Sequence, residues 1–246
     1  MAQDPRLYAK KIKVLLSPTE RALFQKLSTP HKAQDFLDHS PINFQERGEG
    51  IFSPRVMLKK KKLQCMEGAL VAAATLAYHG RSPLLMDFQT IDEDEDHVIA
   101  LFFEERADKK TGRKITLWGA LSKTNHAILR WRDPVYKTPR ELAMSYFHEY
   151  YMRDGRKSLL TYSKPFDLSR YAPERWVTAE PGQNGVSDGE DLEWLAVALD
   201  ESPHFPIFPG ATKQTLQKLR RASPLELKLL DTVEWNDPRK KSERLG

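Results

Sequence analysis

The stretch Cys65-Met66-Glu67-Gly68-Ala69-Leu70-Val71-Ala72-Ala73-Ala74-Thr75-Leu76-Ala77-Tyr78-His79, closed by Gly80, decides how this chain folds. Its apolar residues wrap most of a helical circumference, so it predicts a helix with no solvent face, buried inside its domain. Cys65, the single cysteine of the chain, opens that helix. Backbone N–H groups point outward in a first turn and the helix dipole favours negative charge there. That setting stabilises a thiolate and makes a nucleophile. A lone cysteine is elsewhere a small buried hydrophobe, and both readings stand at this point.

Upstream of the helix, Ser53-Pro54, Lys59 to Lys62 and Gln64 read as a basic, helix-breaking approach. Downstream, Pro83 to Phe88 reads as a short strand, and the acidic turn Asp92 to Asp96 leads to the apolar run His97 to Phe103. Glu104 to Lys114 is dense in charge and reads as an exposed hairpin loop. Ile115 to Leu121 is the returning strand, and Ala127 to Trp131 a further one. Antiparallel strands following a buried helix predict an α+β fold rather than a doubly wound parallel sheet.

Towards the ends the pattern is helical. Ser17 caps a helix over Pro18 to Leu27 with Glu20 three residues on, and a second short helix follows Ser28-Thr29-Pro30. Residues 40–54 read as an irregular connector punctuated by Pro41, Gly48, Gly50 and Pro54. After Pro139 a helix carries Leu142, Ala143, Tyr146, Phe147 and Tyr150. Residues 156–189 read as loop-rich, with a turn at Pro181 to Gly185, and a helix pair closes the chain near Leu192–Leu199 and Gln214–Leu230. The organisation is an N-terminal helical extension over 1–39, a core over 40–155 and a loop-rich, helical region over 156–246, where Pro238 to Gly246 reads as a frayed basic tail.

The 246 residues suit one large domain or a core with extensions, and 40% hydrophobic content is enough to fill it. A single cysteine excludes an internal disulfide and gives no sign of an oxidising compartment. The N-terminus lacks the apolar stretch of a secretory signal, and no segment approaches a membrane span, so the expectation is a soluble cytoplasmic protein. The net charge of +5 is unevenly placed: residues 1–64 are basic, whereas 180–202 carry acids and no base. The Lys59–Lys62 run is the sharpest patch. No aromatic or glycine-rich signature accompanies it, so nucleic acid is not expected as a partner and a solvated connector is the stronger reading. No glycine-rich phosphate loop is present, and no cofactor is expected.

The order of elements resembles the core of the transglutaminase-like superfamily of cysteine enzymes, in its bacterial-type form. Cysteine opens an alanine-rich helix, the helix ends in Tyr78-His79-Gly80-Arg81-Ser82-Pro83, and a strand, an acidic turn and a histidine-led strand follow. The resemblance covers about residues 54–122. It implies a papain-like fold with a Cys-His-Asp triad in acyl transfer, either amide hydrolysis or amine exchange, on a peptide, amide or protein substrate. Matched residue by residue, Cys65 takes the place of the nucleophile and His97 that of the general base, with Ser122 or Asn125 on the far ring nitrogen. The backbone N–H of Cys65 and the side chain of Gln64 are the implied oxyanion donors. The departure lies at the third position, where Trp118-Gly119-Ala120-Leu121-Ser122 puts serine in the acid's place. Serine accepts a hydrogen bond from imidazole but cannot balance an imidazolium charge. That leaves open a slow enzyme, a triad completed by Asn125 or Asp133, or a degenerate domain that binds without catalysis.

Other constellations are weaker. His148-Glu149 begins like a zinc-binding helix but has Met152 where the second histidine must stand, so no metal is expected. His126 reads as a structural donor or a second residue of the cleft. Asp92 to Asp96 lacks calcium-loop spacing, though close to His97 it would raise the imidazole pKa. Pro203 to Pro209 reads as packing, a docking ligand or a cleft lid.

Overall fold

Asp4-Pro5, Ser17-Pro18, Thr29-Pro30 and Ser53-Pro54 each open a helix. In each pair the polar side chain accepts a first-turn N–H, while proline at the first helical position has no N–H to leave unpaired. The structure, a computed structural model, describes residues 3–42, 50–109, 111–124, 126–180 and 192–231. The four helices are α1 (Pro5–Leu15), α2 (Pro18–Lys26), α3 (Pro30–His39) and α4 (Pro54–Lys60). Asp4 Oδ1 takes the N–H groups of Arg6 at 2.8 Å and Leu7 at 3.1 Å. Ser17 and Glu20 form the capping box read from the sequence. Ser53 Oγ accepts from Val56 N at 3.4 Å, so Ser53-Pro54 starts a helix where a break was expected. Lys59 and Lys60 make its last turn, and Lys61 caps it in the left-handed conformation, φ 57°. The expected connector at the lysine run is therefore a helix end.

Next comes α5 (Cys65–Tyr78), in which every residue from Met66 to Tyr78 is buried. It stops in a Schellman arrangement: Gly80 N donates to Ala77 O at 2.9 Å and Arg81 N to Leu76 O at 3.0 Å, with Gly80 at φ 78°. Helices α1, α3 and α4 cover it on one side, and a sheet covers it on the other.

That sheet contains β1 (Leu84–Thr90), β2 (His97–Ala107), β3 (Lys114–Leu121), β4 (Trp131–Tyr136), β5 (Leu159–Ser163), β6 (Phe166–Asp167) and β7 (His204–Pro206). The order is β4-β3-β2-β1-β5-β7, every neighbouring pair is antiparallel, and β6 also pairs with β1. Both faces are covered. Leu85 of β1 and Val98, Ala100 and Phe102 of β2 join the α5 core, while Met86, Phe88, Ile99 and Leu101 join a second core. The second core is closed by α6 (Pro139–Phe147), which opens on Thr138-Pro139. Two covered faces explain why these strands read as continuous apolar runs instead of alternating ones. The edge strands β4 and β7 carry Pro134 and Pro206, which suits edges because proline cannot donate to a ladder.

The fold is thus α+β, as expected, with differences in detail. The hairpin of β2 and β3 carries its pairing out to Ala107 and Lys114, so the ends of the charged segment are strand and the loop between them is shorter than expected. Ala127–Leu129 is a 3-10 turn, and the strand begins at Trp131. The segment read as loop-rich supplies β5 and β6, and the aromatic-proline segment supplies β7, pinned where His204 Nε2 meets Asp87 Oδ2 at 3.2 Å. The closing helices are α7 (Glu193–Asp200), α8 (Lys213–Gln217) and α9 (Pro224–Asp231). The single helix expected over Gln214–Leu230 is split because Ser223-Pro224 starts a new one, with Ser223 and Glu226 as its box. The Pro181–Gly185 turn, the connector glycine Gly48, Asn125 and the Pro238–Gly246 tail lie outside the described residues. Among the described residues no helix is long and apolar enough to cross a membrane.

One close approach fixes where α5 sits. A Cβ placed on Gly68 would stand 2.3 Å from Lys123 Cβ. Lys123 cannot step aside, because its Nζ donates to Leu37 O and Ser40 O at the end of α3. Gly68→Ala should therefore lower stability by about 1–3 kcal/mol, the usual cost of overpacking. Urea denaturation checks this, the expected result being a lower midpoint at unchanged slope.

Candidate active site

Cys65 stands at the first position of α5 and is half-buried, next to the start of β2. The Val98 and Met66 backbone N–H groups point at its sulfur. The helix end is nonetheless not an anion site waiting for a thiolate. Glu67, 1% exposed, already occupies it and accepts the Gln64 N–H at 3.0 Å. Burial raises the Glu67 carboxyl, while the N–H groups of Glu67, Gln64 and Phe52 and the Lys60 charge hold it down. Burial first, then the charge of Glu67, pushes the Cys65 thiol up to about 12; the two N–H groups oppose this and Glu95 adds to it. Burial is thus the larger reason that the helix dipole does not favour a thiolate here, and Glu67 at the same helix end adds to it.

His97 is the first residue of β2, opposite Phe88, and is 6% exposed. Its Nε2 lies 2.7 Å from Oγ of Ser122, a fully buried residue just past the end of β3. Burial, and secondarily the charge of His126, depress the imidazole pKa to about 3. The acidic turn was expected to raise it. Those acids are engaged elsewhere: Asp96 Oδ1 takes Thr90 N at 2.7 Å, Ser158 donates to Asp94, and Glu93 pairs with Lys213 at 2.7 Å. Desolvation wins over their more distant charge.

Cys65 and His97 are thus brought to the same end of the α5–sheet contact, both in their neutral forms. Among the described residues no hydrogen bond joins Cys65 Sγ to the His97 ring; on that strand the sulfur's partner is the Val98 amide. Gln64 is the N-terminal cap residue of α5 and is half-buried, with its backbone N–H taken by Glu67. As first residue of α5, Cys65 has no intrahelical acceptor for its own N–H. His126 is half-buried beside His97, and its N–H donates to Thr124 Oγ1 at 3.1 Å. Asn125 lies outside the described residues, and Asp133 is exposed on the edge strand β4. The lysine run serves α4 rather than the thiol: Lys59 pairs with Glu180 at 2.7 Å and Lys60 sits 3.6 Å over the Phe52 ring. His148 caps α6 and Glu149 pairs with Arg132. Among the described residues no three His, Cys, Asp or Glu side chains converge as metal ligands.

Two residues that the sequence reading did not single out hold Ser122 in place. Gln34 of α3 bonds its backbone on both sides, and Lys123 grips the end of α3. Gln34 had a visible signal, a long polar side chain beside Ala33 on the apolar stripe of α3. No protein-family model matches the chain, and no curated protein matches it.

The depressed His97 pKa has a consequence for stability. An unfolded histidine titrates near 6.5, and folded His97 near about 3. Between these values the unfolded chain holds the proton and the folded chain does not. Its contribution is therefore complete above about pH 6.5 and is lost as pH falls towards about 3. Denaturation midpoints at about pH 4 and about pH 7 should differ less in His97→Gln than in the wild type. Equal differences in the two proteins would mean that His97 accepts its proton while folded.

Proposed function

We propose that this protein is a cysteine-dependent acyl-transfer enzyme, a peptidase, amidase or transamidase, on a transglutaminase-like, papain-like core. The observation that carries the reading is the 2.7 Å contact between His97 Nε2 and Ser122 Oγ. A buried imidazole oriented through Nε2 has its Nδ1 lone pair free to act as a base when Nε2 bears the proton. Cys65 lies at the same end of the α5–sheet contact.

The chemistry follows from the neutral resting pair. When a substrate carbonyl is bound, Cys65 Sγ attacks its carbon and the thiol proton passes to His97 Nδ1. The oxyanion is held by the Cys65 N–H and the Gln64 amide. The imidazolium then gives its proton to the leaving amine, and a thioester remains on Cys65. Water releases a carboxylic acid; an amine releases a new amide. Ser122 keeps the ring oriented without supplying the charge an aspartate would give, so the proton transfer draws less electrostatic help than in a full triad. The substrate is a peptide or other amide, including one carried on a protein.

A second reading is supported by the missing Cys65–His97 hydrogen bond and by the two pKa values displaced away from the ion pair. It is a catalytically degenerate transglutaminase-like domain that serves as a binding or scaffold module. An activated ester such as p-nitrophenyl acetate separates the two. The enzyme reading expects a Cys65 thioester, seen by mass spectrometry, whose formation slows by about 100-fold or more in His97→Ala and disappears in Cys65→Ser. Equal acylation rates in the wild type and His97→Ala would leave the binding reading.

A further inference from the structure

We propose that Gln34 is a positioning residue for this site: its side-chain amide fixes Ser122, and through Ser122 the ring of His97. The inference rests on the acyl-transfer reading and adds to it a residue from the N-terminal helices.

Gln34 is 5% exposed and lies on α3 beside Ala33 and Leu37, which are buried in the α5 core. An amide in such surroundings is costly unless all its polar atoms are paired. Here they are. Nε2 donates to Ser122 O at 3.0 Å and to Asp38 Oδ1 at 2.9 Å, and Oε1 accepts from Ser122 N at 3.0 Å. The orientation of the amide is forced, because Ser122 N can only donate and the Asp38 carboxylate can only accept. Asp38 is itself held at 3.4 Å by Arg130, whose Nε reaches Thr124 O at 3.1 Å.

The position of this clamp gives it its meaning. Strand β3 ends at Leu121, so the backbone of Ser122 has no ladder partner on that side. Two parallel hydrogen bonds from Gln34 replace the ladder and hold Ser122 as a strand residue is held. Its Cβ–Oγ bond then has a defined origin, and Oγ meets His97 Nε2 at 2.7 Å. Lys123 secures the next residue by binding Leu37 O and Ser40 O, so α3 grips both sides of the Ser122–Lys123 peptide. Along this chain of hydrogen bonds a carboxylate, Asp38, stands three links from His97. There it sets the amide's direction without touching the ring.

A purely structural role for Gln34 and a positioning role differ in what they do to His97. The ring nitrogens of His97, observed by 15N NMR in the full chain, should report one tautomer with Nε2 protonated. In Gln34→Leu that signature should give way to a mixture. Cys65 acylation by p-nitrophenyl acetate should fall by about 10-fold, the scale of one lost hydrogen bond. Ser122→Ala should show the same loss, and the double variant should be no slower than Ser122→Ala alone. Should Gln34→Leu fail to fold, Gln34→Glu decides. Its carboxyl when protonated has one donor, which can keep the bond to Ser122 O, and an acceptor for Ser122 N, losing only the bond to Asp38, so the His97 signature should be native at acid pH and lost once the carboxyl ionises. A wild-type His97 signature in Gln34→Leu, or a pH-independent wild-type signature in Gln34→Glu, would overturn the proposal. If His97→Ala acylates as fast as the wild type, the acyl-transfer reading falls, and the ring signature still decides the positioning claim. If His97→Ala is slow and Gln34→Leu is not, the positioning claim alone falls.

Discussion

A helix with no polar face has to be enclosed, and the enclosure of α5 is the constraint on which the remaining architecture depends. Each fully buried leucine or valine contributes about 1.5–3 kcal/mol relative to exposure. Leu70, Val71 and Leu76 together with the alanines therefore bind α5 to whatever covers them. Helices α1, α3 and α4 close one side and strand β2 the other. The N-terminal helices are in this sense part of the wall of the core. The small residues matter as much as the large ones, since Gly68 lets Lys123 lie directly against the helix.

The same enclosure governs the electrostatics of the site. Cys65 and His97 are placed where the sheet meets the start of α5, and burial opposes charge on both. Dipole stabilisation at a helix start is worth about 0.3–1 kcal/mol, which desolvation and a competing carboxylate readily exceed. Glu67 shows how such competition is settled. It is the third residue of α5, it reaches back to the Gln64 N–H, and it thereby uses the favourable end of the helix for capping. A thiol at a helix start is activated only if nothing else has claimed that end first.

Much of the helical layout was legible, and where it was missed the signal was present. Ser17-Pro18, Thr29-Pro30 and Pro139 were read as starts, while Asp4-Pro5 and Ser53-Pro54 were not, although all are the same capping chemistry. The α5 helix and the β2–β3 hairpin were evident from continuous apolar runs. Strands β5 and β7 were not: Thr161, Tyr162 and Phe205 favour strands, but segments of five and three residues are too short to show a period, and a neighbouring edge supplies their hydrogen bonds. Of the site, Cys65 at a helix start, His97 at a strand start and Ser122 beyond the next strand could each be found by reading along the chain.

The sequence by itself determined the elements whose information is local: where proline and a capping oxygen begin a helix, where glycine ends one, and which helix can have no solvent face. It also determined the order in which cysteine, histidine and serine arrive. Only the tertiary structure decided what those residues experience. Gln34 and Ser122 are far apart in sequence, and nothing local says that one amide will replace the ladder the other has lost. The neutral state of Cys65 and His97 was likewise beyond reading along the chain. Desolvation and the placing of Glu67, Glu95 and His126 are sums over groups brought together by folding. Charge responds to everything within a few ångströms in space, whereas a sequence pattern records only what lies within a few residues along the chain.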